Sequence, residues 1–149
     1  MNRILLITLS LFVTGVFNLN AQDCSEYHQY HCVYNDYTFF YSRQSKSTLF
    51  QRGQTSSFSI VTYGGEEYYL ALCAHRKFGD IHFRLLDESG EKVIYDNASS
   101  DYDPTLTFEN EQTRNMIIEV TVPEGGGNER ERRCVGVLVQ FRKNEETNN

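Results

Sequence analysis

From residue 37 to residue 142 the chain alternates between short apolar runs and clusters of turn residues. In IHFRLL, Ile81, Phe83 and Leu85 fall on one face and His82 and Arg84 on the other. In RNMIIEVTV, Met116, Ile118, Val120 and Val122 alternate with Ile117, Glu119 and Thr121. TLTFE puts Leu106 and Phe108 on one side. A period of two over such runs is that of a strand with one face buried. SSFSIVTY, YYLALCAH, EKVIYD and RCVGVLVQF are further strand candidates. Between the runs stand GGEE, FGD, DESG, NASSDYDP and NEQT, built from residues that favour turns. About seven or eight short strands with regular turns predict an all-β fold, an antiparallel β-sandwich of jelly-roll-like arrangement. PEGGGNERER reads as a flexible loop and residues 143–149 as a disordered tail.

Residues 22–36 follow another pattern. Tyr27, Tyr30, Tyr34, Tyr37 and Tyr41 are spaced three and four apart, a helical period. Asn35 and Asp36 interrupt it, and YTFFY suits a strand better. The expectation is a short helical segment near residues 25–33, packed on the sandwich of residues 37–142, with its tyrosines covering the core.

The first residues, MNRILLITLSLFVTGVFNLNAQ, combine a basic start at Arg3, an apolar run and a small residue at Ala21. They read as a signal peptide, residues 1–21, cleaved after Ala21. The run from Ile4 to Phe17 is shorter than the roughly 20 residues that span a bilayer, so an integral membrane protein is not expected. Asp23 before Cys24 argues against a lipid anchor. Export to the periplasm, cell surface or medium follows as the expected localisation.

The 149 residues carry 14 Lys and Arg against 20 Asp and Glu, a formal net charge of −6. Arg3 is the leader's sole charged residue, so the exported form is one unit more negative. The basic cluster Arg130, Arg132 and Arg133 is interleaved with Glu129 and Glu131. An acidic chain without a basic stripe excludes nucleic acid as a partner.

The stretch DCSEYHQYHC sets Cys24, His28, His31 and Cys32 close together, and the chain has four cysteines in all. In an exported protein an even count implies disulfides, and three pairings are possible. Cys73 and Cys134 both lie in strands that could run side by side, which favours Cys73–Cys134, with Cys24–Cys32 by elimination. An unbroken helix would hold residues 24 and 32 about 12 Å apart. A disulfide needs less than about 7 Å, so this pairing requires a bend. The spacing C-x3-H-x2-H-C matches no zinc pattern. The acidic loop with Asp96, Asn97, Asp101, Asp103 and Glu109 departs from the calcium-loop motif and uses ordinary turn residues. Neither a metal nor another cofactor is expected. Asn97-Ala98-Ser99 is a formal glycosylation sequon that a bacterial periplasm would leave bare.

Neither G-x-S-x-G nor H-E-x-x-H is present. A His75–Asp80 or His82–aspartate dyad is the remaining option for acid–base chemistry, and the expectation is that the protein is not an enzyme. For binding, tryptophan is absent but ten tyrosines remain. Tyr63, Tyr68, Tyr69, Tyr95 and Tyr102 lie near turns or strand ends and form the candidate binding surface.

The segments QSKSTLFQRGQTSSFSIVTYGGEEYYLALCA, IHFRLLDESGEKVIYDN, IIEVTVP and CVGVLVQF resemble a group of small secreted Gram-negative β-sandwich proteins. These are broadly similar to pre-peptidase C-terminal accessory domains. The resemblance covers roughly residues 44–142 and rests on fold-bearing motifs: a G-x-x-Y hairpin, IYDN at a strand end and RCVGVL in the last strand. The tyrosine- and histidine-rich start and GGGNERERR depart from it. It implies an exported sandwich without an established activity. The sequence thus points to a secreted, non-catalytic module binding protein or glycan at the cell envelope. The alternatives are a structural envelope protein without a small ligand, or a hydrolase of unrecognised type.

Overall fold

The computed structural model describes residues 23–126 and 130–144. The leader with its expected cleavage point lies outside the described residues. A single turn of helix, α1 (Tyr27–His31), precedes nine strands: β1 (Phe40–Tyr41), β2 (Lys46–Gln51), β3 (Thr55–Thr62), β4 (Glu66–Ala74), β5 (His82–Leu86), β6 (Val93–Asp96), β7 (Thr105–Asn110), β8 (Arg114–Thr121) and β9 (Arg132–Lys143). Lys143, read from sequence as the first tail residue, ends β9.

The strands form two antiparallel sheets. In the first, β9 lies between β4 and an edge shared by β1 and β2, and β7 closes the far side; the second has the order β3-β8-β5-β6. The pairing is nested: β2 with β9, β3 with β8, β4 with β7, β5 with β6. This amounts to one long hairpin rolled over itself, which is the jelly-roll arrangement the pattern predicted. At the corner between β1 and β2, Ser45 Oγ accepts the Val139 N–H at 2.9 Å and donates to the Ser42 carbonyl at 2.7 Å. These bonds carry the chain from one stretch of β9 to the next.

The sheets bury one core between them. β4 contributes Tyr68, Leu70 and Leu72, β9 contributes Val135, Val137 and Val139, and β8 contributes Met116, Ile118 and Val120. Phe83 and Leu85 of β5 join them, as their alternation required. Among the described residues, the first sheet is also covered on its outer face. Tyr69, Ala71 and Leu138 point outward and pack with Cys32, Phe39 and Cys73 in a second, smaller core. A strand buried on both faces reads as a continuous apolar run rather than an alternating one, which accounts for YYLALCA.

The cover is the N-terminal strap, residues 23–39. It is fixed by two disulfides, Cys24–Cys134 to β9 and Cys32–Cys73 to β4. The sequence-based pairing of Cys73 with Cys134 and of Cys24 with Cys32 is therefore corrected. β4 and β9 do run side by side, but their register places Cys73 opposite Gly136. Cys134 is then two residues off, a diagonal neighbour on the same face. Diagonal pairs stand about 7–8 Å apart, too far for a bridge. Each strand cysteine instead reaches up to the strap. Gly136, between Cys134 and Leu138, makes room for it: a Cβ there would lie 2.9 Å from His28 Cα and 3.0 Å from Cys73 Sγ. The bridges close separations of 110 and 41 residues. The chain-entropy model assigns them roughly 5 and roughly 4 kcal/mol.

Candidate functional site

The five tyrosines expected to bind do not form one surface. Tyr68 is 1% exposed; its hydroxyl donates to Glu66 Oε2 at 2.6 Å and accepts the Tyr63 N–H at 2.8 Å. Burial, followed by the Glu66 carboxylate, pushes this phenol far above its ordinary value. Tyr69 is buried beneath the strap, with its hydroxyl donating to the Val33 carbonyl at 3.0 Å. Tyr95 is half-buried against Phe83. Tyr63 and Tyr102 are exposed, but at opposite ends of the sandwich: Tyr63 at the turn between β3 and β4, Tyr102 in the loop before β7. Turn proximity suggested exposure for Tyr68 and Tyr69, yet the double-faced burial of β4 takes both away from solvent.

The exposed aromatic residues gather instead on the strap, whose tyrosines were expected to cover the core. Tyr37 is 96% and Tyr30 75% exposed, and Val33, Tyr34 and Tyr41 are also exposed. Burial and then the neighbouring Tyr41 and Tyr30 phenols raise the titration of Tyr34, so these three rings share one locality. Phe40 is exposed at the rim, its ring 6.2 Å from Phe141.

The strap shows tyrosine outward because its inward positions are taken. Cys24, His28, Cys32 and Phe39 point to the sheet and are buried. The Asn35 N–H donates to Gln140 Oε1 at 2.8 Å, and Phe39 sits edge-on to Tyr69. Asp36 Oδ1 accepts the N–H and hydroxyl of Thr38, making the turn that breaks the helical period. Arg142 lies with its guanidinium 4.5 Å from the centre of the Phe39 ring and is paired with Glu67. The sequence signal for this face was the tyrosine period itself, read as the burying side of a helix. Only Tyr27–His31 are helical, and cysteine, histidine and phenylalanine do the burying.

The residues weighed as metal ligands are otherwise engaged. Cys24 and Cys32 are both oxidised into disulfides. His28 is buried: its backbone N–H donates to Ser47 Oγ at 2.8 Å, its Nδ1 lies 2.6 Å from the same oxygen, and its Nε2 lies 3.0 Å from the Tyr41 hydroxyl. Ser47 Oγ thus meets both the backbone N–H and Nδ1, and the Tyr41 hydroxyl meets Nε2, so the imidazole is held at both ring nitrogens. Burial holds this imidazole below its ordinary 6.5, with Glu26 pulling weakly the other way. His31 stacks on Tyr27, ring centres 4.1 Å apart.

In the acidic loop the side chains serve turns. Asp103 Oδ1 accepts from the N–H and hydroxyl of Thr105. Asn97 is fully buried, accepts the Phe83 N–H and donates to the Ile81 and Asp103 carbonyls. It pins the loop to β5, and its burial closes the sequon. Asp96 does meet His82, at 2.7 Å, with Tyr102 edge-on to the imidazole. Burial works to raise Asp96, but the Ala98 N–H and then His82 outweigh it and hold the carboxyl below its ordinary value. His82 and Asp96 stand on the outer side of β5 and β6, opposite the core residues Phe83 and Tyr95. A cleft of about 240 Å³ opens elsewhere, between β2 and β3, onto Phe50, Phe58 and Val137.

Two closed disulfides, with no free cysteine among the described residues, are the state of a chain that folds in an oxidising, secreted or periplasmic compartment. Among the described residues no helix is long and apolar enough to cross a membrane. Fold and site together define a jelly-roll sandwich with a disulfide-stapled, tyrosine-faced strap. No protein-family model matches the sequence, and no curated protein sequence matches it. Among solved structures, Aeromonas hydrophila PliG, a periplasmic lysozyme inhibitor of g-type lysozyme, is similar, with a TM-score of 0.52 and 12% identical residues. The match covers 74% of this chain and 93% of that one, and at this identity it concerns the fold.

Proposed function

We propose that this chain is an exported, non-catalytic module of the bacterial envelope that binds a protein partner through the strap face. The observation that carries the reading is the exposure of Tyr30, Val33, Tyr34 and Tyr37 on a segment held by two disulfides, with the exposed Tyr41 of β1 next to it. Tyrosine supplies large contact area at low entropic cost and is enriched where proteins meet. A segment tied at Cys24 and Cys32 has less freedom to lose on binding than a free one. A structural envelope protein would present a uniformly polar surface, and this face is not polar. The fold neighbour's role as an enzyme inhibitor supports protein binding, and inhibition of a g-type lysozyme is the first specific activity to assay. The resemblance to pre-peptidase C-terminal domains rests on the strand motifs alone and adds no partner or activity to this reading.

The test is site-directed photocrosslinking. A photoreactive benzoylphenylalanine replaces Tyr37 in one variant and Tyr63 in another, and each is exposed to envelope fraction from the producing cell. The expected result is a protein adduct from position 37 and none from position 63. Tyr30→Ala with Tyr34→Ala should cut the yield about thirtyfold, the loss of a tyrosine hot spot. The melting temperature should stay unchanged. Adducts at neither position, with binding on a glycan array, would replace protein by carbohydrate as the ligand.

A further inference from the structure

We propose that the partner presents a cationic surface of arginine and lysine side chains to the strap; this rests on the reading that the strap binds protein. From Asp23 to Tyr41 the chain carries Asp23, Glu26 and Asp36 and neither lysine nor arginine. All three carboxylates are exposed, interleaved with the exposed tyrosines. Asp23 accepts the Ser25 N–H at 2.8 Å and Asp36 accepts from Thr38, and these hydrogen bonds hold both carboxyls below their ordinary range. The basic residues near this face include Arg132, exposed on β9 two residues from Cys134. Arg142 is paired with Glu67, and Arg43 follows the strap on the far side of β1. Arg142 over Phe39 already shows, within this fold, how a guanidinium seats on a strap ring. A partner's arginines and lysines would find ring faces for the same contact and carboxylates beside them. The net negative charge of the whole chain draws such a surface in from a distance.

The experiment uses the full exported chain with the photoreactive group at position 37 and the same envelope fraction. One arm raises sodium chloride from about 50 mM to about 500 mM, which shortens the screening length to a few ångströms. A second arm carries Asp23→Asn, Glu26→Gln and Asp36→Asn together; the asparagine oxygens retain the Ser25 and Thr38 turns, and a melting curve verifies the fold. Each arm should lower adduct yield about tenfold. Mass spectrometry of the wild-type adduct should place the crosslink in a partner peptide containing arginine or lysine. An adduct that survives both arms yet disappears with Tyr30→Ala and Tyr34→Ala would overturn the cationic partner and leave the protein-binding reading intact. Absence of any adduct at position 37 at low salt would remove both.

Discussion

His28 ties the strap to both β2 and β1, through Ser47 and Tyr41. Its burial depresses the folded-state value below the 6.5 of an unfolded chain. Between those two values the unfolded chain binds more protons than the folded one, so stability rises with pH there. The contribution is complete above about 6.5 and is lost as pH falls below it. Thermal melts from pH 7.5 to pH 5 should show the melting temperature falling by a few degrees. The slope should be shallower in His28→Gln, which lacks the ionisable ring and is less stable at neutral pH. Equal slopes in both proteins would assign the pH dependence to other groups. At this scale the sequence was least informative. Nothing in a tyrosine's immediate neighbours tells whether it points out, as Tyr37 does, or is sealed between layers, as Tyr69 is. That depends on a strap whose contacts lie far away in the chain.

At the scale of elements the strands were legible, because one buried face imprints a period of two on β5, β7 and β8. The nested jelly-roll order was legible as a class of fold. The strap's docking was not, since covering the outer face of β4 and β9 erases the alternation that would reveal it. The cysteines suffered from the same blindness. Cys73 and Cys134 share a face of neighbouring strands, and only register shows that they are diagonal. Non-reducing peptide mapping should yield residue 24 joined to 134 and residue 32 joined to 73. A peptide joining 73 to 134 would restore the pairing first expected from sequence. Replacing Cys32 and Cys73 together by serine should cost roughly 2–5 kcal/mol. It should also loosen the strap more than the sandwich, seen as faster proteolysis at residues 33–38 with little change in the β-sheet circular dichroism signal.

On the scale of the whole molecule, two sheets with unequal protection support one thin recognition segment. β9 is bonded along both edges, by β1 and β2 on one side and β4 on the other. β8 is likewise held between β3 and β5. β6 pairs on one side, and its junction with β5 carries a register shift. The strap has a single helical turn and few backbone ladder bonds, and is held by its bridges, by Phe39 and by the bonds of His28, Val33 and Asn35 to the sheet. Local opening costs least where buried contacts and paired backbone groups are fewest. Amide hydrogen exchange should therefore rank the molecule in three tiers. Leu138 and Val139 of β9 and Ile118 of β8 should exchange slowest, near the global limit. Val93–Asp96 of β6 should exchange faster, and residues 33–38 of the strap fastest. With partner bound, protection should rise in the strap alone, since the sheets are already closed. Protection in β6 equal to that in β8 would contradict the ranking drawn from the topology. Protection on binding that rises at the Tyr63 turn or the Tyr102 loop would move the docking face to an end of the sandwich.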